Sequence, residues 1–143
     1  MIELEHSVVI NRPVQEVFSY ITEVKNLPTW MTELVDAKLT SEGHIGVGST
    51  INTSVNLLGR QLENTQQLTE YELDSKFAIK STSGPVHTED EFIFKPDSDG
   101  TIVTRITKGE LGGFLKLTEP LIVRMLDRQF DNNFANLKDL LES

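Results

Sequence analysis

The chain contains no cysteine and only three histidines among its 143 residues. Without cysteine, this sequence cannot form a disulfide, a thiolate zinc site or a thiol nucleophile. The histidines, His6, His44 and His87, lie far apart along the sequence. We therefore expect neither a metal site nor a cofactor.

Basic residues are also few. The chain has 13 lysines and arginines but 22 aspartates and glutamates, which gives a net charge of -9. This charge repels phosphate backbones and anionic lipid surfaces, so we expect no nucleic-acid partner. An exterior that keeps the protein in solution explains the charge better than an acidic surface for a protein partner.

Long apolar runs are missing as well. No window reaches the roughly 18 consecutive apolar residues that predict a membrane-spanning helix. The first ten residues, MIELEHSVVI, lack the basic start and apolar stretch of a secretory signal. We expect a cytoplasmic protein. Hydrophobic residues make up 38% and charged residues 24% of the chain, typical of a globular protein. The length fits a single domain over residues 1–143.

The N-terminal part predicts a strand followed by two short helices. Residues 3–10 alternate apolar and polar side chains, as in a strand with one buried face. Asn11 suits a helix N-cap, with Pro13 inside the first turn. The next apolar residues recur at helical spacing: Val14, Val17, Phe18 and Ile21. A second helical turn over residues 27–31 has Trp30 as its apolar anchor.

Regular turn signals predict about six more strands, near residues 33–42, 49–58, 60–72, 76–83, 86–95 and 101–109. The short connections favour an antiparallel meander. From about Leu115 to Leu141, one apolar stripe predicts a long helix that begins at Thr118 or Glu119, because Pro120 fits only its first turn. The predicted fold is α+β, a curved antiparallel sheet of about seven strands around a long C-terminal helix.

Several short motifs occur in an order that resembles the helix-grip fold of the START-like SRPBCC superfamily. This superfamily includes polyketide cyclase/dehydrase-like proteins and the birch-pollen-allergen family. The motifs are Ile10-x-x-Pro13-x-x-x-Val17-Phe18, Pro28-x-Trp30-Met31, Gly46-x-Gly48, Gly84-Pro85, Gly100-Thr101 and Asn136-Leu137-Lys138. The resemblance implies a cavity between sheet and terminal helix that holds lipids, sterols, polyketides or other apolar molecules. It implies no shared catalytic motif, since some members are enzymes and others bind or carry a ligand.

Strand alternation predicts which side chains face this cavity. In each strand we assign to the inner face the alternate positions that carry most of its apolar residues. The side chains that then point inward are Val35, Ala37 and Leu39; Ile51, Thr53, Val55 and Leu57; Leu62, Asn64, Gln66 and Leu68; Phe77, Ile79 and Ser81. For the last hairpin we expect Phe94 opposite Ile102, Phe92 opposite Thr104, Asp90 opposite Ile106 and Thr88 opposite Lys108. The same register places Glu91 against Arg105 on the outer face as an exposed ion pair.

The inward positions include too many polar groups for a fully packed core, because each unpaired buried polar group costs roughly 1–3 kcal/mol. A partly polar cavity accounts for the set, although any one of them can be a satisfied structural contact. The predicted ligand-binding residues are Trp30, Met31, Thr53, Val55, Asn64, Gln66, Phe77, Ile79, Ser81, Asp90, Phe92, Thr104, Leu126, Phe130 and Asn133. Trp30 suits the cavity mouth and the core equally. Leu57–Leu58 and Gly112–Gly113–Phe114 suit a mobile entrance.

Catalytic signals are sparse. Asp90 and His6 are the candidates for acid–base work, provided that the first and sixth strands bring them together. His87, Glu89 and Glu91 alternate along one strand, but they span more than ~12 Å, too far for one metal ion.

Binding or transport of a small hydrophobic ligand of the lipid, polyketide or aromatic class is therefore the first hypothesis, with a monomer or weak homodimer as the expected state. The alternatives are a polyketide cyclase or dehydratase type of enzyme, and a protein-interaction module with an acidic surface.

Overall fold

The computed structural model describes residues 1–143, apart from the side chain of Phe114. Seven strands and three α-helices follow one another as β1 (Ile2–Ile10), α1 (Val14–Thr22), α2 (Leu27–Trp30), β2 (Leu34–Leu39), β3 (Thr50–Leu57), β4 (Arg60–Glu72), β5 (Lys76–Ser83), β6 (Val86–Asp97), β7 (Gly100–Leu111) and α3 (Glu119–Glu142). Short 3-10 helices span Val24–Asn26 and Gly113–Thr118. The long helix begins at Glu119, where Pro120 needs no hydrogen-bonded N–H.

All seven strands form one antiparallel sheet in the order β1-β7-β6-β5-β4-β3-β2. Strands β2 to β7 are a meander, and β1 joins it beside β7. The sheet curls around α3, and α1 and α2 follow the first strand, so the predicted helix-grip fold is confirmed.

Helix α3 presents its predicted apolar stripe to the concave face of the sheet. The buried residues of this stripe are Ile122, Leu126, Phe130, Asn133, Phe134 and Leu137. One group of buried side chains joins the C-terminal half of α3 to α1 and the middle of the sheet, and a second joins the N-terminal half to Ile2, Leu57 and Leu111. Burial of each large apolar side chain contributes about 1.5–3 kcal/mol, so the helix holds the sheet in its curled form.

The chain reversal after β1 differs from the prediction. Pro13, and not Asn11, is the N-cap of α1. A proline suits this place because it has no N–H to leave unsatisfied. The Asn11 N–H instead donates to Glu142 Oε2 at 2.8 Å, and Lys138 Nζ donates to the Val9 carbonyl at 2.6 Å. The end of α3 therefore secures the turn that leads into α1.

Strand β2 breaks the predicted alternation. A register irregularity lies between Leu34 and Asp36, where β2 pairs with β3. It turns Leu34 toward the interior, whereas Val35 is 56% exposed and Leu39 is 38% exposed. The bulge inserts one residue and reverses the faces before it, so Val35 points outward whereas Ala37 is buried. Leu39 keeps the parity of Ala37 and pairs with Ile51, but it is the last residue of the strand and is partly exposed there.

The predicted register of the last hairpin is wrong by one residue. Asp97 pairs with Gly100, so the loop holds only Ser98 and Asp99, and Ser98 has a φ of 55°. Two-residue hairpin loops favour a positive φ at the first loop position. The shorter loop places Phe92 opposite Arg105 and Asp90 opposite Thr107. A one-residue shift exchanges the faces of a strand, so Arg105 points inward and Thr104 outward.

Candidate functional site

A cavity lies between the concave face of the sheet, the segment from α1 to β2, and helix α3. Its volume is about 100 Å³, enough for several water molecules. Most of its lining is aliphatic or aromatic, with a small set of polar side chains among them. An apolar cavity with a few placed polar groups is the usual form of a small-molecule site.

Most of the residues predicted to bind a ligand lie around this cavity. Those that line it are Met31, Thr53, Val55, Asn64, Gln66, Phe77, Ile79, Asp90, Phe92, Leu126 and Phe130. They come from strands β3 to β6, from α3, and from the residue that follows α2. Their contact with a ligand stays a prediction.

Trp30 belongs to the core and does not line the cavity. Its ring stacks on Phe134 with centroids 6.0 Å apart, and its edge meets Phe92 at 6.4 Å. No part of the side chain reaches solvent. The sequence allowed Trp30 to lie either at the cavity mouth or in the core. The structure places it in the core, because α2 directs the indole against Phe134 of α3.

Ser81 and Asn133 point inward but make structural hydrogen bonds. The Ser81 hydroxyl lies 3.1 Å from the Asn64 amide and accepts the Thr88 N–H at 3.3 Å. Asn133 Oδ1 accepts the Thr32 N–H at 3.3 Å, and its Nδ2 donates to both oxygens of Glu33. Both are therefore satisfied polar groups of the interior, outside the lining of the cavity.

Thr104 lies on the outer face of the sheet, opposite to its predicted orientation. Its hydroxyl is 2.9 Å from that of Ser7 on the neighbouring strand. The expected outer pair of Glu91 with Arg105 is also absent, because β7 has the other register. Glu91 instead lies 3.6 Å from Lys76.

His6 and Asp90 do not meet. Strand β7 lies between β1 and β6, and Arg105 is the Cα partner of His6 on that strand. The His6 Nε2 atom is 2.9 Å from Asp127 of α3 and 3.6 Å from Asp131. The predicted acid–base pair is therefore wrong, and His6 connects the sheet to the terminal helix outside the cavity.

The main buried charges of the cavity belong to Arg105 and Asp90. Arg105 Nε donates to Asp90 Oδ1 at 2.9 Å, and Thr107 Oγ1 donates to the same oxygen at 2.5 Å. Both side chains of the ion pair are only about one-twentieth exposed: 6% for Arg105 and 5% for Asp90. The guanidinium carbon lies 3.7 Å from the centroid of the Phe130 ring, a cation–π contact.

Glu33 supplies a second carboxyl group to the cavity lining. Asn133 Nδ2 donates to its two oxygens at 2.8 and 3.0 Å. Burial raises the pKa of Glu33 above 4.5, and the charge of Arg105 and the Asn133 hydrogen bond only partly offset this effect. A carboxyl group with a raised pKa that lines a cavity is a candidate for proton exchange with a bound molecule.

Among the described residues, no group of three or more His, Asp or Glu side chains has an arrangement that could hold a metal ion. The β6 carboxylates considered as metal ligands lie beside lysines instead: Glu89 is 3.5 Å from Lys80, and Glu91 lies near Lys76.

The expected entrance to the cavity is described in part. Leu57 lines the cavity. The neighbouring Leu58 is 41% exposed at a φ of 51°. The Phe114 side chain lies outside the described residues.

Sequence reasoning missed Arg105, Thr107 and Glu33. A two-residue loop at Ser98–Asp99 would have turned Arg105 and Thr107 inward, so loop geometry was the available signal. Glu33 precedes β2 and depends on Asn133, which is 100 residues away in the chain. No local pattern indicates that contact.

Comparison with known families gives one match along almost the full chain. Residues 1–142 match the model described as polyketide cyclase / dehydrase and lipid transport. A search of curated protein sequences found no match. No described helix combines the length and apolar character that crossing a bilayer requires.

Solved structures share the fold at low sequence identity. TTHA0849 from Thermus thermophilus has a TM-score of 0.82 at 16% identity, covering 96% of this chain and 94% of its own. A START superfamily protein from Mycobacterium smegmatis has a TM-score of 0.78 at 14% identity, covering 98% and 97%. The Zhui aromatase/cyclase from Streptomyces sp. R1128 has a TM-score of 0.78 at 15% identity, covering 98% and 93%. The likeness is one of fold.

Proposed function

Because this chain belongs to the polyketide cyclase/dehydrase and lipid transport family, we propose that it binds a small, mainly apolar molecule in the cavity between its sheet and α3. The main support for this proposal is the cavity itself. Its apolar lining favours the removal of a hydrophobic molecule from water, while its few polar groups suit the orientation of that molecule. We include among the ligand contacts the predicted residues that line the cavity, a set whose first member is Met31 and whose last is Phe130.

Native mass spectrometry of freshly purified protein, together with thermal-shift screening, tests this function. We expect a copurified mass, or a rise in Tm with members of a panel of lipids, polyketides and aromatic compounds, since a ligand of the folded state raises stability. A chain that shows no bound mass and no shift with any compound would contradict the proposal.

A matched pair of variants locates the site. Ile79 lines the cavity, whereas Val35 is exposed on the outer face. In Ile79→Trp the added ring would occupy the cavity, so we expect at least tenfold weaker binding of any compound found in the screen. Val35→Trp adds the same ring outside and should bind as the wild type does. Equal affinities for the two variants would place the site elsewhere.

Glu33 favours a second candidate function, an enzyme that cyclises a poly-β-ketone. The Glu33 carboxylate would take a proton from a carbon between two carbonyls, and Arg105 would stabilise the enolate oxygen. The enolate carbon would attack a second carbonyl of the same molecule, forming a carbon–carbon bond. The new alkoxide would recover its proton from Glu33. The raised pKa of Glu33 and its place in the cavity lining support this role.

Turnover of a poly-β-ketone analogue by Glu33→Gln tests the enzyme function. Loss of the proton-transfer group should lower kcat about 10²- to 10⁴-fold while Kd changes little. His6→Ala is the control, because His6 contacts α3 outside the cavity. Unchanged turnover in Glu33→Gln would rule out this role and would leave the binding function in place.

A further inference from the structure

Gln66 lines the cavity, and its side chain makes no hydrogen bond within the part of the chain that the structure describes. The residue is only 9% exposed. A glutamine amide has two N–H donors and one carbonyl acceptor, and amides in protein interiors normally find partners for them. Gln66 therefore offers an unused donor and an unused acceptor at the wall of the cavity.

The amide of Gln66 is open to the cavity. The described side-chain atoms that are fully enclosed and have no hydrogen-bond partner belong to His6, Trp30, Arg105 and Glu119. Gln66 is not among them, so its unpaired amide atoms keep accessible surface. On β4 it shares the buried inner face with Asn64 and Leu68, whereas Gln67 is exposed on the outer face. The accessible surface of the Gln66 amide is therefore inside the sheet, where the cavity lies.

The neighbours of Gln66 explain why no side chain of the protein pairs with it. Its cross-strand partners are Ile51 on β3 and Ser81 on β5. Ile51 has no polar side-chain atom. The Ser81 hydroxyl already lies 3.1 Å from the Asn64 amide and accepts the Thr88 N–H at 3.3 Å. The amide of Gln66 is thus surrounded by apolar groups and by polar groups that have other partners.

A ligand satisfies this amide fully only if it carries a donor and an acceptor side by side. The N–H and C=O groups of a lactam or a primary carboxamide have this arrangement, so they can form two hydrogen bonds with Gln66. An ester supplies acceptors alone and leaves the Gln66 carbonyl unpaired. A carboxylate also lacks a donor, and it would add negative charge to a lining in which Glu33 and Asp90 outnumber Arg105.

We propose that the cavity selects apolar ligands that carry a neutral lactam or primary carboxamide, which pairs with the side-chain amide of Gln66 through two hydrogen bonds. This inference rests on the proposed binding function and adds the polar group that the ligand must carry. The aliphatic and aromatic lining holds the rest of the molecule. The cavity thereby distinguishes between ligands of equal shape by a single N–H group.

The compounds 2-quinolone and coumarin test the inference by titration calorimetry. Both are flat two-ring molecules with the same outline and the same carbonyl group, but 2-quinolone has a lactam N–H where coumarin has a ring oxygen. We expect 2-quinolone to bind at least about tenfold more tightly, because coumarin leaves the Gln66 carbonyl without a donor. Naphthalene, followed by its own fluorescence, shows whether the cavity takes an apolar molecule of this size.

A matched pair of variants connects the preference to Gln66. Gln66→Met removes the amide and keeps the length of the side chain, whereas Gln67→Met makes the same change at the exposed neighbouring position of β4. In Gln66→Met we expect the ratio of the two affinities to fall to about onefold while coumarin still binds. Gln67→Met should keep the wild-type ratio. A lactam preference that survives in a folded Gln66→Met protein overturns the inference.

The outcomes separate this inference from the binding function. Equal wild-type affinities for 2-quinolone and coumarin, or tighter binding of coumarin, overturn the inference and leave the binding function standing. Binding of naphthalene without binding of the other two compounds has the same meaning. If none of the three binds, the binding function fails for two-ring ligands, and the inference fails with it. The wild-type series decides the question even where Gln66→Met does not fold.

Discussion

Arg105 and Asp90 show how a charge is accommodated in an apolar interior. Each side chain is almost fully buried, and each compensates the other through one hydrogen bond. Thr107 satisfies the same carboxylate, and Phe130 covers the guanidinium face. Glu33 has no such ion pair, and its environment instead favours the protonated form. The cavity thus contains one carboxyl group that is paired with a guanidinium group and one for which burial makes the charge costly.

We predict that loss of Arg105 alone is more harmful than loss of the pair. Arg105→Met should lower the free energy of unfolding by about 3–5 kcal/mol, because it leaves the buried Asp90 carboxylate unpaired. The double variant with Asp90→Asn should recover much of that loss. Urea unfolding of both single variants and the double variant gives the coupling energy. Additive effects in this cycle would mean that the two charges do not stabilise each other.

Glu33 should make stability depend on pH. Its pKa in the folded protein is raised above 4.5, so the folded state keeps this proton at pH values where the unfolded state has lost it. Its contribution is therefore present below pH 4.5 and is lost as the pH rises through the folded value. Glu33→Gln removes this dependence, so its Tm relative to wild type should increase from about pH 4 to about pH 8. A constant difference across that range would contradict the raised pKa.

The hairpin of β6 and β7 decides which elements contribute to the cavity. Its two-residue loop turns one face of β7 inward, and that face brings Arg105 and Thr107 beside Asp90. Apolar alternation alone favours the other face of β7, with Ile102 and Ile106. The strand therefore departs from the hydrophobic alternation at the polar part of the cavity.

A close backbone contact in the same hairpin leads to a stability prediction. A Cβ on Gly109 would lie 2.1 Å from the His87 carbonyl oxygen and 2.7 Å from Thr88 Cα. Both are backbone atoms, so the pairing of β6 with β7 must shift in Gly109→Ala. We expect a loss of at least about 1–3 kcal/mol in thermal or urea unfolding.

Gly46→Ala provides the control for this substitution. A Cβ on Gly46 would meet no atom within 4 Å, and this residue does not need a left-handed backbone. Its stability should stay within about 0.5 kcal/mol of wild type. Similar values for the two alanine variants would show that the close approach at Gly109 is not rigid.

At the scale of the whole molecule, the curled sheet and α3 enclose a cavity, and the chain around it carries a net charge of -9. We predict that the protein does not retain DNA or RNA in a filter-binding assay at low salt, because phosphate backbones are repelled. The same assay with a basic nucleic-acid-binding protein is the positive control. Retention that declines as salt increases would reveal a local basic surface and contradict the prediction.

The sequence by itself determined the order and type of the elements, the stripe of α3, and the inner faces of β1 and β3 to β6. These features repeat over a few residues, so local spacing is sufficient to predict them. Only the tertiary structure decided the polar part of the cavity. A bulge reverses part of β2, a two-residue loop turns Arg105 inward, and Glu33 meets Asn133 across 100 residues. Such contacts depend on how distant segments pack, and burial then raises the pKa of Glu33.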